Sequence, residues 1–362
     1  MSGSMVRGAF RTDGAGRMGD ELSLDGHGIR RREAPPRVRI IQYKEQRRIT
    51  MNPSSAGTGW YHRAWIFGLF LMAALMVRTP LLAQLKVLRV DPHATNPAIE
   101  AVHGPHLVLY DPRTPSQHRL FVFLPGTGGK ADGAMPIASA FAGWGYHSIA
   151  LDYEDNVVAM TCARSTDAAC FDRYRKAIVT GAPVSNKIHV NRANSILRRL
   201  QNLLVYLAQH DPTGGWQEFL DHGQPAWKRI VIAGHSQGSG HAAYIGKLFA
   251  VDRVLMFSGP QDYLVALNQP APWLLQHSAT PPSRYFAFLN WKDPFNVHHQ
   301  IANCMALMDL ATVETQVVEP GKPIEGRHQI LITKLPTPNP HGSTIRPRFA
   351  NVWQFMGGTA TQ

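Results

Sequence analysis

The feature that most constrains the fold is a five-residue turn, Gly234-His235-Ser236-Gln237-Gly238, together with its two flanks. Residues 229–233 before it are mostly apolar and β-branched, which predicts a buried strand. Residues 237–249 after it are rich in Ala, Leu and Tyr, which predicts a helix. The bare G-x-S-x-G pattern often arises by chance, but a strand, a sharp turn at a serine and a helix in succession are typical of a nucleophile elbow.

The glycines of this turn have a steric reason. A Cβ at Gly234 or Gly238 would collide with the neighbouring strand or helix. Gly240, Ala242 and Ala243 keep the following helix slim enough to pack closely. Because such a turn lifts the serine hydroxyl clear of the sheet, we predict Ser236 as a nucleophile.

A serine nucleophile needs an orienting acid and a base, which on the fold that uses this elbow follow it in that order. Residues 284–290 predict a strand that ends in a turn carrying Asp293. This turn lies at the carboxyl end of the strand two places after the elbow strand. Asp262, which follows the preceding strand at 253–258, is the alternative acid; we favour Asp293. Either carboxylate could instead cap a turn or a helix.

The predicted base is His341. Residues 329–333 predict the last central strand, and His341 follows it at the edge of the sheet that also carries Ser236. His328 precedes the same strand, at the opposite edge, and we expect it on the surface. The side chain of His235 should point away from the neighbouring Ser236 in an elbow.

The predicted oxyanion hole consists of two backbone amides, those of Gln237 and Thr127. Thr127 lies in the glycine-rich loop 125–129, directly after a strand at 120–124, and Gly128 is the alternative donor. The loop matches neither the P-loop nor the dinucleotide-binding pattern, so nucleotide binding is not indicated. A metal site is not indicated either, because the adjacent His298 and His299 point different ways and have no ligand at a familiar spacing. We therefore expect neither a cofactor nor a metal.

On these residues the chain resembles the α/β-hydrolase superfamily over about 107–356, and within it bacterial exported serine esterases with an L-P-G-T-G-G loop and a terminal H-G-S. The resemblance implies a mostly parallel central sheet with helices on both faces. It also implies hydrolysis of a carboxylic ester or related acyl bond in a small molecule. The chain departs from a minimal member by an insert at about 154–190, after the fourth strand. An acyltransferase with the same triad, or a non-catalytic binding protein on this fold, are the alternatives.

The N-terminal part differs in composition from the rest. Residues 1–63 hold 12 Lys and Arg against 6 Asp and Glu, a net of +6 out of +12 for the whole chain. They have no helical or strand period, so we expect a disordered basic leader. Their basicity therefore does not indicate a nucleic-acid partner, and the true start could be Met51.

Residues 64–83 contain an apolar core of about 14 residues, which fits a secretory signal and is short for a bilayer span. The sequence thus predicts export to the periplasm or medium, with the catalytic domain at 84–362. A retained N-terminal anchor is the alternative, and only then would the protein contact a membrane.

Three further expectations concern individual residues. Cys162 and Cys170 lie close together in the insert, and export favours a disulfide between them, whereas Cys304 is left over on a buried helix. Residues 193–209 predict a surface helix whose Arg198-Arg199 pair faces solvent. Residues 91–111 are expected to form the first strands.

Overall fold

The computed structural model describes residues 85–358. The predicted leader at 1–63 lies outside the described residues, as do the predicted signal or anchor at 64–83 and the first residue of the predicted catalytic domain.

A nine-stranded sheet forms the centre of the described residues. Its strands lie in the order β1-β2-β4-β3-β5-β6-β7-β9-β8. Only the pairs β1–β2 and β2–β4 are antiparallel. The strands are β1 (Lys86–Val90), β2 (His106–Tyr110), β3 (Leu120–Leu124), β4 (His147–Ala150), β5 (Ile230–His235), β6 (Arg253–Phe257), β7 (Tyr285–Asn290), β8 (Thr315–Val317) and β9 (Ile330–Thr333).

Helices cover both faces of this sheet, because its central strands are apolar on both sides. Along β3, Leu120, Val122 and Leu124 face one apolar cluster, while Phe121 and Phe123 face the other. The first cluster takes in α3, α4, α5 and α6, and the second takes in α2 and α7. The helices are α1 (Pro92–Thr95), α2 (Met135–Gly143), α3 (Cys170–Thr180), α4 (Ile196–His210), α5 (Gln237–Leu248), α6 (Val297–Met308) and α7 (Ala350–Gly357).

The strand registers bring several loops to one edge of the sheet. Leu124 at the end of β3 pairs with Gly234, and His235 pairs with Phe257 at the end of β6. Asn290 at the end of β7 pairs with Thr333 at the end of β9. The loops that follow β3, β5, β6, β7 and β9 therefore start side by side. The mostly parallel sheet with helices on both faces is confirmed.

Two expectations about individual elements were wrong in part. The predicted stretch 91–111 does contain β2 at its end, but the first strand, Lys86–Val90, precedes it, and residues 92–95 form a short helix because the Asp91 side chain caps it by accepting the amide of His93. The Arg198-Arg199 pair does not share a solvated face. Arg199 is fully buried and its guanidinium lies 2.9 Å from Asp152 Oδ2, so one of the two cations ties α4 to the end of β4.

Candidate active site

Ser236 lies in a sharp turn between β5 and α5. Its backbone has φ 55° and ψ −120°, a region that a non-glycine residue rarely adopts. A Cβ on Gly234 would lie 2.1 Å from the carbonyl oxygen of Gly238, and a Cβ on Gly238 would lie 2.1 Å from that of Leu124. Both glycines are therefore required by close backbone approach. The amide of Ser236 donates to the carbonyl of Phe257 at 2.8 Å, which holds the turn against β6.

His341 and Asp293 form a hydrogen-bonded pair at the same edge of the sheet. His341 Nδ1 lies 2.8 Å from Asp293 Oδ2, with the histidine side chain 16% exposed and the aspartate side chain fully buried. Because a carboxylate accepts hydrogen bonds, Nδ1–H of His341 is the donor in this pair, and Nε2 is the ring nitrogen that does not contact Asp293. Asp293 is held in turn, since its Oδ1 accepts the amide of Phe295 at 2.9 Å.

The loop that carries His341 is fixed through its backbone. The carbonyl of His341 accepts hydrogen bonds from the Ser258 hydroxyl at 2.6 Å and from His235 Nε2 at 3.0 Å. Burial lowers the pKa of His235 to about 4, so its ring is neutral at neutral pH. The His235 ring also packs against the His341 ring, with ring centroids 4.9 Å apart. His328 is exposed, in agreement with its predicted place on the surface.

Asp262, the alternative acid, has different partners. Its carboxylate accepts two hydrogen bonds from the guanidinium of Arg175 in α3 and one from Trp273 Nε1 at 2.9 Å. Both Asp262 and Arg175 are fully buried. Arg175 also donates from Nη1 to the carbonyl of Gln237 at 2.7 Å. The structure thus brings Asp293, and not Asp262, to the histidine.

Thr127 and Gln237, the predicted oxyanion donors, lie side by side. The Thr127 hydroxyl donates to Gln237 Oε1 at 2.8 Å, and both residues line the same cavity as Ser236 and His341. The amide of Gly128, the alternative donor, is directed to the carbonyl of Asp155 at 3.4 Å. Gly128 is therefore engaged with the insert, whereas Thr127 borders the cavity.

The cavity over Ser236 has a volume of about 360 Å³. This lies at the lower end of the roughly 300–1,000 Å³ that small-molecule sites occupy. Three of its lining residues, Val158, Ala159 and Met160, come from the insert. No sequence pattern assigns them to the site. The lining residues are Gly126, Thr127, Gly129, Val158, Ala159, Met160, His235, Ser236, Gln237, Gln261, Phe295 and His341.

The insert is tied to the rest of the site at several points. The predicted disulfide between Cys162 and Cys170 is confirmed and joins the segment 159–162 to the start of α3. The amide of Ala159 donates to Gln237 Oε1 at 3.1 Å. Cys304 is a buried free thiol on α6, as expected, and burial raises its pKa.

A buried carboxylate lies beside the glycine-rich loop 125–129. Asp155 is 1% exposed, and its Oδ1 lies 3.7 Å from His103 Nδ1. Burial raises the pKa of Asp155 to about 7, against the opposing charge of His103. Nearby Asp152 and Glu154 raise the pKa further, and the Gly129 amide lowers it. No sequence pattern singled out this group.

The paired histidines on α6 have aromatic partners. His299 stacks on Tyr263 with ring centroids 3.8 Å apart, and His298 packs edge-on against Trp291. Among residues 85–358, no group of three or more His, Cys, Asp or Glu side chains is placed to hold a metal ion. Within this same described stretch, no helix has the length and apolar character needed to cross a membrane.

No protein-family model matches the sequence, and no curated protein matches it. Among solved structures, a Thermus thermophilus protein shares 16% identity over 76% of this chain and 97% of its own, with a TM-score of 0.38.

Two further structures have a similar level of likeness. A putative dienelactone hydrolase from Klebsiella pneumoniae shares 14% identity over 76% of this chain and 98% of its own, with a TM-score of 0.40. An alpha-beta serine hydrolase homologue from Coxiella burnetii shares 10% identity over 77% and 97%, with a TM-score of 0.39. The order of the strands, and the place of the serine elbow in that order, give this chain the α/β-hydrolase fold.

Proposed function

We propose that this protein is a serine hydrolase that cleaves a carboxylic ester of a small molecule through an acyl-enzyme intermediate. One observation carries the proposal: His341, hydrogen-bonded to Asp293 at 2.8 Å, borders the same cavity as Ser236 in its strained turn. A nucleophile, a base and an acid that orients the base are the groups that this chemistry requires.

In the proposed reaction, Ser236 Oγ attacks the ester carbonyl carbon while His341 Nε2 takes the hydroxyl proton. Asp293 holds the imidazole by its Nδ1–H and stabilises the imidazolium. The tetrahedral intermediate then expels the alcohol oxygen, which receives the proton from His341. Water, deprotonated by His341, attacks the acyl-serine, and the acid product leaves as Ser236 regains its proton. These steps use side chains, backbone amides and water, so the proposal includes no cofactor.

The amides of Thr127 and Gln237 are the proposed donors to the oxyanion. Gln237 is the first residue of α5, where backbone amides have no partner within the helix. The positive end of the helix dipole adds to their effect on a developing negative charge. Loss of one such donor typically costs about 100- to 1,000-fold in kcat.

We further propose that the protein acts outside the cytoplasm, exported or held by an N-terminal anchor. The disulfide between Cys162 and Cys170 supports this location, because disulfides persist mainly in oxidising compartments. Nothing in the site indicates a nucleic-acid partner.

The decisive experiment is hydrolysis of p-nitrophenyl esters by the full chain, beside the Ser236→Ala variant. We expect activity that the variant loses, and covalent labelling by a fluorophosphonate probe that it also loses. Ser283→Ala is the matched control, because Ser283 is exposed and lies outside the cavity. An unlabelled wild-type protein without hydrolysis of any ester would contradict the proposal and favour a binding protein. Turnover that requires an added alcohol acceptor would favour an acyltransferase.

A further inference from the structure

The cavity over Ser236 has two apolar walls that contact different parts of the proposed machinery. The insert wall consists of Val158, Ala159 and Met160, and Phe295 in the loop after β7 forms the second wall. Val158 is 45% exposed and Phe295 is 43% exposed, and both border the cavity. Both therefore offer apolar surface that a bound molecule could cover.

The insert wall contacts the proposed oxyanion residues. The Ala159 amide and the Thr127 hydroxyl both donate to Gln237 Oε1, at 3.1 Å and 2.8 Å. Because the Ala159 amide and the Thr127 hydroxyl share this acceptor, the Gln237 side chain links the insert wall to both residues of the proposed oxyanion hole. The insert wall therefore adjoins the place where the carbonyl oxygen of the substrate would lie.

The Phe295 wall contacts the proposed base. The ring centroid of Phe295 lies 4.5 Å from that of His341. During acylation this histidine must protonate the oxygen of the departing alcohol, so the alcohol portion has to lie beside the His341 ring. A group next to that ring is next to Phe295 as well.

We infer that the two walls divide the substrate: Val158 and Met160 select the acyl group, and Phe295 selects the alcohol group. This assignment rests on the proposed ester hydrolysis. The expected substrate is therefore an ester with apolar groups on both the acyl and the alcohol side. It has to be small enough for a cavity of about 360 Å³.

The insert wall is suited to this role because it is held rigidly. Met160 lies two residues before Cys162, and the disulfide joins Cys162 to the first residue of α3. Arg175 on α3 is in turn bound to Asp262 and to the carbonyl of Gln237. A wall anchored on both sides keeps a fixed depth, and a fixed depth discriminates between chain lengths.

Two ester series test the division. In one, p-nitrophenyl esters vary the acyl chain from acetate to octanoate; in the other, butyrate esters vary the alcohol from methanol to octanol. Met160→Ala should raise kcat/KM for long acyl chains relative to acetate by about fourfold per methylene newly buried, and leave the alcohol series within about twofold. Val158→Phe should shift the acyl preference to shorter chains.

Phe295→Ala should act on the other series. It should lower kcat/KM for long alcohols, because it removes the wall that they would contact, and leave the acyl preference unchanged. Leu275→Ala is the control, because Leu275 is 70% exposed and lies outside the cavity. Circular dichroism and fluorophosphonate labelling establish that each variant is folded with a reactive Ser236. If the wild type hydrolyses esters but the variants affect both series alike, neither series, or the opposite series, the division is wrong. If the wild type neither hydrolyses esters nor reacts with the probe, the proposed function itself is wrong.

Discussion

Asp262 and Asp293 occupy comparable places but have opposite surroundings. Each follows a central strand, β6 or β7, at the edge of the sheet where Ser236 lies, and both side chains are fully buried. Asp262 meets the permanent cation Arg175, whereas Asp293 meets the imidazole ring of His341. An aspartate bound to a guanidinium has its charge neutralised in place. One bound to an imidazole can orient a base whose charge changes during a reaction.

Substitution of Asp293 is expected to have the largest effect on activity. Asp293→Asn keeps the shape of the side chain but can hold the wrong tautomer of His341, so we expect kcat to fall by about 10,000-fold. Fluorophosphonate labelling should slow in parallel, while the thermal midpoint changes little. Ester hydrolysis and thermal unfolding measure the two quantities. Activity near the wild-type level would mean that Asp293 does not orient the base.

Substitution of Asp262 should instead reduce stability. Asp262→Ala leaves the Arg175 guanidinium buried without its carboxylate, which typically costs about 3–5 kcal/mol of the free energy of unfolding. Chemical denaturation of the full chain measures this loss. The double variant Arg175→Met/Asp262→Leu is the control, because exchanging a whole buried ion pair for apolar groups is often close to neutral. A large loss of kcat at unchanged stability would reverse the roles of the two aspartates.

The disulfide between Cys162 and Cys170 links the insert to α3, the helix that carries Arg175. Replacement of both Cys162 and Cys170 by Ser opens a short covalent loop, with a separation of 8 residues. For a loop of that size, we expect a loss of about 2 kcal/mol in the free energy of unfolding. Denaturation beside Cys304→Ser, which removes a buried thiol and no crosslink, separates the effect of the crosslink from that of the substitution. A stability equal to that of the wild type would show that packing alone fixes the insert.

A third aspartate, Asp155, extends the comparison to a buried carboxylate that lies 3.7 Å from His103 Nδ1. Its pKa is raised to about 7 by burial, so the folded state holds its proton at pH values where the unfolded state has lost it. Its contribution to stability is therefore complete below about pH 4 and is lost as the pH rises to about 7. Asp155→Asn should raise the thermal midpoint by a few degrees at pH 8 and leave it unchanged near pH 3.5. An equal shift at both pH values would contradict this assignment.

The buried histidines predict the opposite dependence of stability on pH, a loss as the pH falls. Burial lowers the pKa of His235 to about 4 and that of His106 to about 3, below the value of about 6.5 in an unfolded chain. The stability that these neutral rings confer is complete above pH 6.5 and is lost as the pH falls through 4. The thermal midpoint of the wild type should therefore fall over this window. His106→Gln should reduce the slope; an unchanged slope would assign the acid sensitivity to other groups.

Several parts of this molecule follow from local pattern and chain order. A continuous apolar run predicts β5, and the glycines around Ser236 predict a turn in which no Cβ fits. The order of serine, acid and histidine along the chain led to Asp293 and His341, because parallel strands place successive loops at one edge. The spacing of Cys162 and Cys170 within one insert led to their disulfide.

Which distant groups meet depends on long-range contacts that no local pattern carries. Arg175 and Asp262 are 87 residues apart, and Arg199 and Asp152 are 47 apart. No local period distinguishes a buried, paired arginine from a solvated one, so Arg199 was assigned to the wrong environment. The insert wall at Val158 and Met160 escaped detection for the same reason: its place over Ser236 comes from the disulfide and the Gln237 contact. Long-range contacts of this kind set which aspartate meets the histidine, because burial and charge pairing depend on the whole fold.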